Sequence, residues 1–412
     1  MNTKKFLLIV TVLFFWQLAN AYGIDRRKEQ FHSDSAYLIL PMPYSLPGIG
    51  EGWMFTGLAA NIAGSNLDVF GVALTGDLAG VSAGILDLHL LSETLFFDFY
   101  TTKIDKAQVK NYQNRGMGTD KDDFKYYEAS LVDENSAEMT LSFFDRRFEV
   151  IGEIWNNRYE VTKIKDYKGN LEEELDDPFV DESKGNAVRV VIDYTDDRQD
   201  PTKGVRFEAK RANSERTSDK VADYVVQNYS LTAYIPIGDS STWAFRALTS
   251  EAIVKDEGET DKGNIINELG FSCATYDDCS EAEQNLIDKL VTERKYGTAD
   301  SLGGRSRLRS YPQGRYSGAH MAYFATEFRW NFATDVVPFD FLIWKDIATG
   351  FQLALFYEVG SVSEKREDLG KDTKSTSGFG LRMVSASGFV YRADFGFGEE
   401  SQETTIMFQY PW

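Results

Sequence analysis

The chain has 412 residues, of which 14% are aromatic, and its 64 acidic against 44 basic side chains give a net charge of −20. That balance excludes a nucleic-acid footprint, which needs clustered Lys and Arg. The length is large for one soluble domain but ordinary for one closed sheet, and 33 glycines against 9 prolines suit crowded strands better than helices.

Residues 1–21 read as a secretory signal: Lys4 and Lys5 are basic, 6–15 are apolar, and Ala19-Asn20-Ala21 supplies a small-x-small cleavage pattern. Cleavage there leaves 391 residues (412 minus 21) with a charge of −22, two lysines having gone. No later apolar run reaches the roughly 20 residues a membrane helix needs. Residues 22–50 are polar and then broken by Pro41, Pro43 and Pro47, which predicts a periplasmic leader with little structure. A single domain is expected over 51–412.

Within it, period-two segments are predicted at 53–61, 67–74, 81–90, 94–102, 124–132, 138–144, 148–159 and 187–194. Further segments follow at 205–212, 224–235, 242–254, 321–332, 351–362, 377–384, 389–397 and 404–412. Sixteen is even, as single-chain bacterial outer-membrane barrels require. With both ends periplasmic, connections after odd strands face outward and run longer. Residues 160–186, 213–223, 255–320 and 363–376 fit that rule. Two stretches after even strands, 103–123 and 333–350, exceed a simple turn.

The alternation is strictest after residue 320. Ala322, Phe324, Thr326, Phe328, Trp330 and Phe332 share one face, while Met321, Tyr323, Ala325, Glu327, Arg329 and Asn331 share the other. Phe351, Leu353, Leu355, Tyr357 and Val359 oppose Gln352, Ala354, Phe356, Glu358 and Gly360; Phe389, Tyr391, Ala393, Phe395 and Phe397 oppose Arg392 and Asp394. A Lys or Arg facing the bilayer midplane costs about 2–4 kcal/mol, so the charged faces point inward. Arg189, Asp193, Arg206, Glu208, Lys210, Glu327, Arg329, Glu358, Arg382, Arg392 and Asp394 are then expected to line a mixed-charge lumen. A soluble sandwich alternates similarly, but the signal segment, the strand number and the last strand favour the membrane barrel. That last strand places Thr404, Ile406, Phe408, Tyr410 and Trp412 in phase.

Other features read blandly. Glu172-Glu173-Glu174 and Asp176-Asp177 are solvated loop charges. Cys273 and Cys279, six apart in an exported chain, predict a local disulfide. His32, His89 and His320 are too scattered for a metal site. Gly378-Phe379-Gly380 and Gly396-Phe397-Gly398 lie in strands rather than phosphate loops, and Asp196, Asp197 and Asp200 are spaced for an ordered turn rather than an EF-hand. Zincin and Walker motifs are missing from the sequence, and no enzyme activity and no cofactor are expected.

Three motifs resemble the C-terminal barrel of the BamA/TamA outer-membrane assembly-factor superfamily, the bacterial surface antigen family. Residues 302–332 hold LGG, then LRSYPQGRYSG, then a strand carrying TEFR; within them Leu308-Arg309-Ser310-Tyr311 matches the apolar-Arg-Gly-aromatic tetrad of the sixth extracellular loop. Phe356-Tyr357-Glu358-Val359-Gly360 matches aromatic-x-acid-x-Gly, and Asp197, Arg198, Asp200, Pro201 and Gly204 match an Asp-Arg-rich periplasmic turn. Phe408, Tyr410 and Trp412 resemble the C-terminal β-signal. The resemblance covers 187–412 and implies an all-β, 16-stranded antiparallel transmembrane β-barrel with the sixth extracellular loop folded into the lumen. There Arg309, with Tyr311 and Gly360 around it, would lock onto Glu327 and Glu358. Ser310 stands where glycine is usual, which predicts an altered turn.

With the first strand expected at residue 53, no polypeptide-transport-associated (POTRA) domains are expected before it. The resemblance further implies the outer membrane of a Gram-negative bacterium and contact with lipopolysaccharide and phospholipid. It also implies periplasmic or outer-membrane protein partners, no nucleic acid, and a monomer. The function it implies is insertion or translocation of outer-membrane proteins, or an accessory role. A porin-like channel and a structural or surface-interaction barrel are the alternatives.

Overall fold

The computed structural model describes residues 36–65, 67–334, 339–341, 344–347, 349–385 and 390–412. The signal segment, the leader up to residue 35, and Phe389 lie outside the described residues. Sixteen strands close into one antiparallel barrel. The first eight are β1 (Ala36–Leu46), β2 (Gly50–Ala60), β3 (Asp68–Gly76), β4 (Ala79–Leu91), β5 (Leu95–Tyr112), β6 (Phe124–Phe143), β7 (Phe148–Lys165) and β8 (Leu171–Thr195). The rest are β9 (Gly204–Ser214), β10 (Asp223–Ile237), β11 (Ser241–Asp256), β12 (His320–Thr334), β13 (Thr349–Ser363), β14 (Lys374–Ser385), β15 (Val390–Phe397) and β16 (Gln402–Phe408). A short hairpin, Phe339–Phe341 with Trp344–Ile347, stands apart between β12 and β13.

The expected number is right, but it was reached by two offsetting errors. Residues expected in the leader form β1, which pairs with β2 from Ala36↔Ala60 to Leu46↔Gly50. Proline does not bar this, because Pro41 and Pro43 belong to a seam strand. The Pro43 carbonyl accepts a bond from Tyr391 Oη at 2.8 Å, so its side of the backbone, where the ring removes an N–H, faces away from β2. Along that seam β1 and β16 share the Cα pair Ser45↔Ile406. Conversely, the segments expected at 124–132 and 138–144 are one strand, β6. The shift moves 113–123 to the outward parity, so that exception dissolves. The other, between β12 and β13, contains the short hairpin.

Face assignments follow the period-two reading. Phe324, Trp330, Phe332, Phe351, Leu355, Leu381 and Phe397 are exposed on the outer wall, whereas Met321, Tyr323, Ala325, Glu327, Arg329, Ala354 and Glu358 are buried on the inner one. Outward apolar side chains continue round the barrel through Trp53, Phe55, Val81, Ile154, Val188 and Trp243, a belt suited to lipid.

Two connections differ from expectation. Residues 160–186 are a strand hairpin rather than a loop: β7 runs to Lys165 and β8 starts at Leu171. Residues 255–320 contain two helices, α1 (Lys262–Leu269) and α2 (Glu281–Tyr296). Asp261 accepts from Asn264 N at the start of α1, and Ser280 with Glu283 makes a capping box on α2. Gly270 ends α1 at φ 68°, and Gly297 follows α2 at φ 69°. Cys273 and Cys279 form a disulfide in the link between them. Ile265, Ile266, Ile287 and Cys279 make a small separate core there.

Candidate functional site

The connection from α2 to β12 descends onto the charged face of β12–β15. Glycine makes room for it. A Cβ at Gly396 would lie 2.8 Å from the backbone of Arg309 and Ser310, one at Gly398 2.3 Å from Ser310 Oγ, and one at Gly360 2.7 Å from Leu302. Gly378 and Gly380 likewise accommodate the Phe356 ring and the Asp394 carboxylate. The Gly-Phe-Gly pairs therefore put a flat glycine floor on one face of the wall and an aromatic on the other.

On this floor Arg309 is fully buried, and each arm of its guanidinium meets an acid from a different strand. Nε donates to Glu358 Oε1 at 2.8 Å, Nη1 to Asp394 Oδ2 at 2.6 Å, and Nη2 to Glu327 Oε2 at 3.2 Å. The Arg309 backbone N–H donates to Glu358 Oε2 at 2.7 Å, and the Phe356 ring lies under the guanidinium, 3.5 Å from its centroid. Tyr323 Oη donates to Glu358 Oε1 at 2.8 Å. A planar five-donor fork suits three carboxylates in a way that a lysine ammonium does not.

Further arginines complete the cluster. Glu327 accepts from Arg382 through both oxygens at 2.6 Å and from Arg329 Nε at 2.7 Å, while Asp394 accepts from Arg392. The two terminal nitrogens of Arg329 are buried without a hydrogen-bond partner among the described residues. They face aromatic rings instead: Tyr410 at 4.1 Å, Trp412 at 5.4 Å and Tyr234 at 5.5 Å.

The neighbouring tetrad residues anchor the segment. Ser310 Oγ pairs with Thr376 Oγ1 at 2.6 Å, and the Ser310 carbonyl accepts from Ser401 Oγ at 2.5 Å. Tyr311 packs edge-on against Tyr316 and donates to the Ser375 carbonyl at 3.3 Å. The left-handed residue is Leu308, at φ 49°, and Ser310 is not in that region. Serine therefore contributes a hydroxyl at a position where glycine's freedom is not needed.

The turn between β8 and β9 is ordered by acids. Asp196 accepts from Thr202 N and Lys203 N at 2.9 and 3.0 Å, Asp197 accepts from Gln199 N at 2.9 Å, and a Cβ on Gly204 would lie 2.1 Å from Tyr194 O. Arg198 donates to the buried Glu149 at 2.5 Å. Pro201 is buried at the foot of this turn.

Sequence reasoning treated this turn and the last residues as separate motifs. They meet at Tyr410, whose Oη donates to Asp200 Oδ1 at 2.6 Å while its ring faces Arg329 and Arg382. The terminal aromatics therefore do not continue the last strand. β16 stops at Phe408, Gln409 turns left-handed at φ 69°, and Trp412 packs against the cluster of Leu302, Leu308 and Tyr311. Phe408 alone keeps its expected place on the strand. The two missed partners, Asp394 for Arg309 and Asp200 for Tyr410, lie 85 and 210 residues away in sequence, and no local pattern pairs them.

Beside the seat, the charged face stays open over β5–β10. A polar cavity of about 580 Å³ is lined there by Glu134, Glu153, Trp155, Lys210, Asn228 and Asp300 among others.

No protein-family model and no curated protein sequence matches the chain. Among solved structures it is similar to CdiB from Escherichia coli, with a TM-score of 0.50 at 11% identity over 92% of this chain and 67% of that one. CdiB from Acinetobacter baumannii gives 0.48 at 12% identity over 90% and 65% of the two chains. BamA from Haemophilus ducreyi lacking POTRA domains 1-3 gives 0.47 at 11% identity over 93% and 76%. At such identities the likeness to the E. coli CdiB structure is one of fold: this chain is a closed sixteen-strand antiparallel barrel of that type.

Proposed function

We propose that this is an outer-membrane barrel of the assembly-factor type, exported through a cleaved signal peptide, which acts in the insertion or translocation of outer-membrane proteins or as an accessory to it. In this reading the connection from β11 to β12 is the sixth extracellular loop. It is folded into the lumen, and Arg309 locks it to the wall. The observation that carries the reading is the buried Arg309 held by Glu327, Glu358 and Asp394 from three strands. A plain pore has no use for so costly a cluster on a loop, whereas a barrel that must stay closed without a client does. No enzyme activity, cofactor or nucleic-acid partner enters this reading, and the barrel acts as a monomer in contact with lipopolysaccharide and phospholipid.

The test is reconstitution into liposomes with an urea-unfolded outer-membrane barrel as client. Folding of the client, read by gel mobility without heating, should be faster than in protein-free liposomes and should slow when Arg309→Ala is used. Equal rates in both liposomes would overturn the proposal. A second reading, a porin-like channel, is favoured by the polar cavity beside the seat. It predicts a steady ohmic conductance from the wild-type protein and no effect on the client.

A further inference from the structure

The hairpin of β7 and β8 leaves the barrel well beyond the apolar belt. On the outward face of β7 Ile154 is the last strongly exposed apolar side chain, and Asn156, Arg158, Glu160 and Thr162 follow it. The ten residues 156–165 extend roughly 33 Å along the strand at about 3.3 Å each. β7 is covered on its other side by β6 as far as Tyr126↔Lys165, but β8 loses its outer neighbour early. The β8–β9 ladder begins at Gly185↔Ser214, and the last bond across it runs from Glu215 N to Lys184 O at 2.7 Å. Residues 179–184 are still paired to β7, from Val161↔Phe179 to Asn156↔Lys184, and have no strand on the other edge among the described residues.

The direction of that edge is fixed by the same bond. Because the Lys184 carbonyl points towards β9, the backbone groups of Glu182 and Val180, two and four residues earlier, point the same way in an extended strand. They form an open row of donors and acceptors with no backbone partner among the described residues. The row is short. Four residues of β8, 175–178, oppose the single Thr162 of β7, and Pro178 lies in that bulge. A bulge, a proline and acidic side chains are the means by which exposed edges avoid indiscriminate pairing.

What remains is selective by charge. Seven acids fall within 172–182 with no base between them. Glu172, Glu174 and Glu182 are engaged by Lys125, Lys163 and Arg158. Glu173, Asp176, Asp177 and Asp181 are exposed and hold no ion pair among the described residues. Phe179, 58% exposed, offers an apolar contact at the start of the edge.

We propose that the edge of β8 at residues 179–184 is a docking surface for an extended basic polypeptide, which adds beside it as a further strand. Main-chain bonds supply the affinity and the acids select the partner, as in other strand-addition complexes. The partner strand lies end to end with β9, in the place β9 vacates after Ser214.

The full chain in detergent micelles is titrated with a fluorescent peptide of alternating Lys and Val. A second peptide has the same sequence with alternate amides N-methylated. The variant Val180→Pro removes one edge N–H and leaves the β7 ladder intact; gel mobility without heating checks that the barrel still folds. The expected result is saturable binding of the first peptide, at least tenfold weaker binding to V180P, and no saturable binding of the methylated peptide. If the methylated peptide binds as well as its parent, or V180P binds as the wild type does, charge alone is responsible and the proposal is overturned. Absence of saturable binding by the unmethylated peptide overturns it as well.

Discussion

Arg309 is surrounded by more negative charge than one guanidinium can answer. Glu327, Glu358 and Asp394 have no exposed side-chain surface, and Arg329, Arg382 and Arg392 supply the additional positive charge. Glu327 and Asp394 each have such a second arginine, but among the described residues the basic group bonded to Glu358 is Arg309 alone. Arg309→Ala therefore leaves Glu358 buried with only the Tyr323 hydroxyl and a backbone N–H. Stranding one member of a buried ionic cluster costs about 3–5 kcal/mol. The urea midpoint of the barrel in micelles should fall accordingly, and protease should cut within 302–316. Arg309→Lys should fall between the two, since an ammonium keeps the charge but cannot reach three carboxylates in one plane. An R309A unfolding curve that superposes on the wild type would remove the lock from the account. The acids of this site were legible from period two, which assigns a face. Height along the strand was not, because it depends on the stagger by which the sheet closes, and so Asp394 went unrecognised as the third acid.

Whole elements succeed or fail as predictions according to where they sit against the belt. β12, β13 and β15 cross it, carry one apolar row each, and read clearly. The outer half of the β7–β8 hairpin has polar side chains on both faces, so its strand signal disappears into what looks like a loop. β1 was lost to Pro41 and Pro43, which are tolerated because the strand borders a seam. The end of β16 went the other way: aromatics in phase suggested strand, but Gln409 turns them inwards to Tyr410's bond with Asp200. That bond ties the β8–β9 turn to the arginine cluster. Tyr410→Phe keeps the ring over Arg329 and Arg382 and removes the link, at a cost of about 1.5–3 kcal/mol for a bond to a charged group. A double-mutant cycle with Asp200→Asn should show that the two losses do not add.

The helical part of the long connection has a pH dependence of its own. The bidentate bond from Arg294 holds the Glu268 carboxyl below its usual range. Burial raises Asp288, but its bonds with Lys262 and Tyr276 outweigh that and lower it. For carboxylates with depressed folded values, stability is fully present above the unfolded pKa of about 4 and is lost as pH falls through the folded ones. Amide exchange in α1 and α2 should therefore be constant near neutrality and accelerate only below about pH 4, with the disulfide intact. Acceleration beginning near pH 6 would contradict these pairings.

For the molecule as a whole, the question is what a sixteen-strand wall encloses. Barrels of this size can leave an aqueous channel, so closure has to come from something placed inside rather than from the wall. Residues 302–316 rest on the glycine floor of β13–β15, and two arginines tie their connection to three others, β5–β6, β13–β14 and β15–β16. Arg115 donates to Glu364 at 2.8 Å and to the Gly297 carbonyl at 2.8 Å; Arg315 donates to Glu400 at 2.7 Å and to the Thr119 carbonyl at 2.6 Å. Under the proposed reading this segment is the plug, and the polar cavity over β5–β10 is the space left beside it. Replacing 302–316 by a short Gly-Ser linker removes Arg309 and Arg315 together and leaves every wall residue in place. In planar bilayers the wild-type protein should give small, fluctuating currents, and the replacement a steady conductance several-fold larger. Arg309→Ala should lie between, with frequent openings, because the outer clamp at Arg315 still holds. Traces from the replacement that match the wild type would mean that the segment does not close the barrel, and the Arg309 cluster would then be a device for stability alone.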